Sequence, residues 1–434
     1  MKTGRLSGHL TTLAGQLAIA VSIALSVISL LGIALAAGAA AQTVLTLGTW
    51  AGPESATGIR LQQLADGFNR SQSEYSVVIQ QIASYNDAIV TRLATGTGPD
   101  IILVRNEEVH TLGDFLVDLR PYLAKSALDK DAFIPGLFDG GGDRVVRMAG
   151  TFGLLNLVIF YRPSMFERAG LPGPVQLHKD GSWDWDGLVE AAKRLTVDAD
   201  GDGAPEQFGI WLWDGEIHRM LARQNGGHFI APDGSAYLGD QPEYTDAIQW
   251  AADLFYVHGV RANVDFDQGN VAMATWPIER RTLMRTLGWD WGVAPLFNKA
   301  EGRPFLDLTG NGFAITTNSQ HPDGAWAFIE WALGEEAQLM IASQGALPGR
   351  TSALQSPEFL NEPGVSDVPY TVDVLLGQYG VFPFGEGGGI GVTPEINRLY
   401  LEALYQVERG EKPASVAFAE IREPITAMLS ALRW

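Results

Sequence analysis

The chain has 434 residues, 46% hydrophobic and 18% charged, which is enough for two cored domains and too apolar for a disordered chain. A formal net charge of −20 sets aside nucleic acid and anionic membrane surfaces as partners. The absence of cysteine excludes disulfides, thiolate metal sites, cysteine nucleophiles and a lipid-bearing cysteine.

Residues 1–41 open with Lys2 and Arg5, continue through an apolar stretch from Leu13 to Leu35, and end in Ala39-Ala40-Ala41. This is the build of an export signal, with cleavage expected before Gln42. The apolar run is also long enough to span a bilayer, so an uncleaved anchor is the alternative. Either way, the chain from Gln42 onward is expected outside the inner membrane. Val44–Leu47 alternates as a strand, and Leu61, Leu64, Ala65 and Phe68 follow at helical spacing. Tyr75–Ile79 reads as a second strand, Ala88, Ile89 and Leu93 as a second helix, and Asp100–Val104 as a buried parallel strand. This β-α-β-α-β order predicts a parallel sheet covered by helices. Such sheets bind ligands beyond the carboxyl ends of their strands. That places Trp50 and Glu54 after the first strand, Ser84 and Tyr85 after the second, and Arg105 and Asn106 after the third.

A second α/β region is expected from about residue 150. Its predicted strands are 155–161, 208–213, 271–275 and 312–316, and its predicted helices are 163–170, 184–196, 243–257 and 323–344. The tail, 394–430, reads as helix bent near Pro424. With no tandem repeat and no low-complexity linker, the two regions should be joined by short crossovers.

In order along the chain stand TLGTW (46–50), LATGTGPDIILV (93–104), FYRPSMFERAGL (160–171) and SWDWDGLVEAAKRLT (182–196). They are followed by DADGDGAPEQFGI (198–210), QNGG (224–227), GNVAMATW (269–276), GNGFAIT (310–316) and AWAFIEWALGEEAQLMIASQGALPGR (325–350). In order and spacing these segments resemble the extracellular solute-binding proteins of ABC importers, specifically the large sugar-binding family (family 1 type). The resemblance implies a two-lobed, type II-like periplasmic-binding-protein fold. Each lobe would be a mixed, mostly parallel sheet flanked by helices, with a hinge between them. The first lobe would hold 43–152 plus about 305–355, and the second 153–304 plus about 356–434. It further implies a monomer that captures a sugar or sugar derivative and passes it to ABC permease subunits. Two departures mark this chain: Tyr161-Arg162 stands where the family commonly has Tyr-Asn, and the crossover Gly153-Leu154-Leu155-Asn156 lacks the family's proline.

Sugars stack their C–H faces on aromatic rings and pair their hydroxyls with planar donors and acceptors. By resemblance, Trp50, Tyr85, Trp213 and Trp276 are the aromatic candidates for the cleft; core packing is the competing role for each. The polar candidates are Glu54, Asp100, Asn106, Asn156, Asn311 beside Gly310, and Arg350, with Arg105 and Arg162 as further cations. Asp100, after Gly98-Pro99, also suits a turn or cap. An anionic or other non-sugar solute, such as a phosphorylated or sulfonated sugar derivative, a polyol or a polyamine, is the alternative ligand.

Asp198, Asp200 and Asp202 with Gly203 match the first half of a calcium loop, with Glu206 as a further ligand, although position twelve is Gly209. Local turns explain the same residues, so calcium would be structural and no cofactor is required. The chain has no G-x-S-x-G, H-E-x-x-H, P-loop or G-x-G-x-x-G motif, and no catalytic residue is assigned. A secreted glycoside hydrolase is the enzyme alternative, opposed by the lack of a regular eightfold βα rhythm. A receptor that docks a sensor in place of a permease stays open.

Overall fold

The computed structural model describes residues 42–105, 108–134, 149–155, 157–212, 216–231, 234–299, 309–378 and 394–431. Among these described residues nine strands form two sheets. They are β1 (Thr43–Thr49), β2 (Tyr75–Gln81), β3 (Ile101–Arg105), β4 (Ala149–Leu155), β5 (Leu157–Tyr161), β6 (Phe208–Trp211), β7 (Val271–Pro277), β8 (Gly292–Ala294) and β9 (Thr309–Ile315). The first sheet has the order β2-β1-β3-β9-β4 and the second β6-β7-β5-β8. One strand in each sheet runs against the rest: β9 pairs antiparallel with β3 and β4, and β5 pairs antiparallel with β7 and β8. Both sheets are therefore mixed but mostly parallel in direction.

The apolar run Ile101–Val104 is wholly buried, as a strand covered on both faces must be. The helix Ala56–Ser71 begins where the Ser55 hydroxyl accepts the Gly58 N–H at 3.0 Å. It buries Leu61, Leu64, Ala65 and Phe68, the residues its spacing selected. In the second lobe the helix Trp185–Leu195 starts at Asp184, whose carboxylate accepts the Gly187 N–H at 2.8 Å, and buries Leu188, Ala191, Ala192 and Leu195. Gly209 is required beneath it: a Cβ there would lie 2.3 Å from the Ala192 carbonyl oxygen.

The chain changes sheets three times. β4 ends at Leu155, paired with Thr309, and β5 starts at Leu157, paired with Pro277. After β8 the chain returns to the first sheet as β9. There the helices Pro322–Ala332 and Glu335–Ser343 pack on Ala56–Ser71, with Phe68 against Phe328 and Trp331. The third passage follows Leu360. Beyond it the helix Val368–Gln378 lies on β8, with the Thr371 hydroxyl donating to the Val293 carbonyl at 3.1 Å. The helices Pro394–Glu408 and Ala414–Glu420 close the second lobe over Pro242–Tyr256 through Phe229, Tyr244, Tyr400 and Phe418.

Three expected elements are divided. The run 155–161 is two strands in different sheets. The helix 323–344 breaks at Gly334, which takes an extended conformation (φ −69°, ψ 161°) and starts the next helix. The tail breaks at Gly410 (φ +66°) with Pro413 and again at Ile421, while Pro424 sits in the first turn of the last helix, where it is tolerated. No helix of the described residues is long and apolar enough to cross a membrane. Residues 1–41, where an export signal is expected, lie outside the described residues.

Candidate functional site

β4 runs with β1, β2 and β3, and β7 runs against β5, so the first passage fixes how the sheets face each other. The carboxyl ends of β1, β3 and β4 and the carboxyl end of β7 converge on the link between Leu155 and Leu157. This is where open α/β sheets present ligand-binding loops.

On the first wall, Trp50 follows β1 and is half-buried. Tyr85 packs against it with ring centroids 5.3 Å apart and an interplanar angle of 76°. The Arg105 guanidinium carbon lies 4.1 Å from the Trp50 ring centroid. Its Nη1 donates to the Glu108 carboxylate at 2.6 Å, and the same carboxylate accepts the Arg105 backbone N–H at 2.9 Å. Burial pushes the Glu108 carboxyl up, against the N–H and charge of Arg105. Asn311, on β9, is the register partner of Arg105 and is partly buried; Gly310 precedes it in the same strand. Ser84, three residues after β2, is the one non-glycine described residue with positive φ (+48°), a strained position of the kind found at functional sites.

On the second wall, Trp276 sits near the carboxyl end of β7, 3% exposed, with the rings of Phe266, Trp211 and Phe160 at 5.5, 5.8 and 6.2 Å. Glu279 and Arg280 follow immediately, and the Arg280 guanidinium carbon is 5.4 Å from the Trp276 ring. Burial raises the Glu279 carboxyl, opposed by Arg60 and Arg280. Arg60 belongs to the helix Ala56–Ser71 of the first lobe and is itself buried, so this pair of charges spans the two lobes.

Four expected site residues are placed differently from the open cleft wall foreseen for them. Trp276 is packed as core. Tyr85 is 4% exposed and donates its hydroxyl to the Leu103 carbonyl at 2.7 Å, so it supports Trp50 from behind. Asp100 lies at the amino end of β3, the far end from the passage. Its carboxylate accepts the Thr46 N–H and hydroxyl, both at 2.9 Å, and the Ser319 hydroxyl at 2.7 Å. Arg350 is held by Glu335 at 2.6 Å and lies over Phe133. Glu54 stands exposed on the turn after β1. Arg162, after β5, is at the far end of the second sheet because β5 runs against its neighbours; it pairs with Asp290 and covers Trp289. Asn106, Asn156 and Trp213 lie outside the described residues.

Reading the sequence missed Glu108, Glu279, Arg280 and Arg60. The first was detectable as an acid three residues after Arg105 at a strand end. Glu279 and Arg280 were detectable as charges two and three residues after a strand; nothing in the sequence marks Arg60.

The expected calcium loop is held by its own backbone. Asp198 accepts the N–H groups of Gly201 and Gly203, at 2.7 and 2.9 Å, Asp200 that of Asp202, Asp202 that of Ala204, and Glu206 that of Ala199. Asp198, Asp200 and Glu206 have ligand atoms within 4.8 Å of one another, all exposed; Asp202 is not among them. The residues fit local turn formation fully and a cation only in part.

Two mixed sheets joined by three passages, with binding loops facing each other at the strand ends, define a two-lobed solute-binding fold. Residues 52–339 match the family described as bacterial extracellular solute-binding protein, and the chain belongs to that family. The sn-glycerol-3-phosphate-binding periplasmic protein of Yersinia enterocolitica is 23% identical over 412 residues, 87% of this chain and 91% of that one. An ABC substrate-binding protein from Listeria monocytogenes, solved with cycloalternan, superposes with a TM-score of 0.73 at 20% identity, covering 90% of this chain and 99% of its own. The cyclic alpha-maltosyl-1,6-maltose binding protein of Arthrobacter globiformis gives 0.72 at 19%, covering 90% and 100%.

Proposed function

We propose that this chain is the substrate-binding component of an ABC importer and captures a carbohydrate or carbohydrate derivative between its lobes. The observation that carries the reading is the convergence of strand ends at the first passage, with Trp50 and Arg105 on one wall and Glu279 and Arg280 on the other. The relatives point the same way, since they bind sn-glycerol-3-phosphate, cycloalternan and a cyclic maltosyl-maltose. In this reading the first lobe comprises β1–β4, β9 and the chain up to about Leu360, and the second comprises β5–β8 and the C-terminal helices. The three passages between them act as the hinge. Ligand touches both lobes and shifts the population from open to closed; the closed form docks on permease subunits. The protein acts as an exported monomer cleaved before Gln42, performs no catalysis and needs no cofactor.

The test is a thermal-shift screen of residues 42–434 against mono-, di- and oligosaccharides, polyols and sugar derivatives, followed by calorimetry. A native-state ligand at a hundred times its dissociation constant adds about 2.7 kcal/mol of stability. The expected outcome is a melting-temperature rise with one carbohydrate class and no turnover. Silence across that panel, with a rise from a peptide or polyamine, would keep the fold and overturn the ligand class.

A further inference from the structure

Trp50, on one wall of the cleft, and Trp276, buried behind the other, each have a guanidinium over the ring. Arg105 covers Trp50 at 4.1 Å and Arg280 lies 5.4 Å from Trp276. Neither ring is therefore an open stacking platform on that side. Trp50 is backed by Tyr85, and Trp276 is enclosed by Phe266, Trp211 and Phe160. What the walls offer a ligand is N–H donors.

Arg105 has a side chain 34% exposed and uses Nη1 on Glu108. Among the described residues its remaining guanidinium N–H groups meet no protein acceptor. Arg280 is exposed, on the turn after β7, and no described acceptor engages it. A guanidinium held over a ring by a fixed carboxylate has lost much of its freedom before ligand arrives, so less is spent on ordering it. The planar fork matches two oxygens of a carboxylate, phosphate or sulfonate more closely than it matches a single hydroxyl.

The local charge agrees. Arg105 acts on Glu108, and Arg60 and Arg280 act on Glu279, so each buried carboxyl of the two walls already has a cation beside it. Both carboxyls are raised by burial, so each is more readily neutralised than an exposed acid when an anion approaches.

Resting on the cleft reading above, we infer that the ligand is an anionic carbohydrate derivative whose acidic group is gripped between Arg105 and Arg280 as the lobes close. The two arginines are the specificity residues, and Glu108 is a positioning residue that holds Arg105 against Trp50.

The experiment is calorimetric titration of the mature chain with matched pairs: glucose against glucuronate, glucose against glucose 6-phosphate, and glycerol against glycerol 3-phosphate. One acidic member is expected to bind at least about tenfold more tightly than its neutral counterpart, with affinity falling as salt is raised. Arg105→Gln and Arg280→Gln should each remove about tenfold of the affinity for that acid while leaving the melting temperature of the unliganded protein close to wild type. If a variant fails to fold, the wild-type comparison within each pair still decides. Neutral members binding as tightly as the acidic ones would overturn this inference and leave the carbohydrate reading intact. Silence from every pair, together with silence from the wider sugar screen, would remove the carbohydrate reading itself.

Discussion

Trp276 and Trp50 carry the same side chain at equivalent strand ends, yet their surroundings give them different duties. Trp276 is 3% exposed among three aromatic rings, so its replacement is first a packing defect. Trp276→Ala is expected to cost about 3–5 kcal/mol of unfolding free energy, read from urea denaturation, with Trp276→Phe recovering most of it. A cost under about 1 kcal/mol would show that the indole is not core. Residue type alone could not separate these duties: an aromatic after a strand is equally core or wall until its neighbours are placed. Asp100 illustrates the same limit. It follows Gly98-Pro99, which suits a binding loop or a turn, and only its position at the amino end of β3 assigns it to Thr46 and Ser319. Arg105, by contrast, was legible, because the βα rhythm puts the residue after an apolar parallel strand at the binding end.

At the scale of elements, hydrophobic spacing located β1, β2, β3 and β7 and the helices Ala56–Ser71 and Trp185–Leu195 within a few residues. It did not separate β4 from β5, because the chain changes sheets between Leu155 and Leu157 without an interruption in apolar character. β8 has three residues, too few to show a period. How the C-terminal helices attach is likewise a tertiary matter. Glu408, at the end of Pro394–Glu408, binds buried His218 at 2.7 Å and Arg261 at 2.6 Å. Burial alone would raise this carboxyl, but the His218 hydrogen bond and charge and the Arg261 guanidinium bring it down to about 2. A carboxyl lowered on folding contributes stability above its ordinary range, near 4.5, and that stability is lost as the pH falls toward 2. Urea midpoints measured at decreasing pH should therefore drop across this window, and Glu408→Gln should be less stable at neutral pH with a shallower drop. Equal slopes for the two proteins would mean that this cluster does not anchor the helix.

The whole molecule follows from where the chain changes sheets. Because β4 and β7 both point at the first passage, the binding ends of the two lobes must face each other, and the charges of Arg60 and Glu279 already act across the gap. Order and spacing of short segments made this two-lobed plan legible; they do not show that β4 continues to Leu155 before the chain changes sheets. In the proposed reading the cleft works by closing. Small-angle scattering of the mature chain, with and without a saturating ligand found in the sugar screen, tests this most directly. A smaller radius of gyration is expected in the bound state, and at the same ligand concentration Arg105→Gln should reduce the change by weakening binding. A ligand that binds tightly and leaves the radius of gyration unchanged would contradict capture by closure.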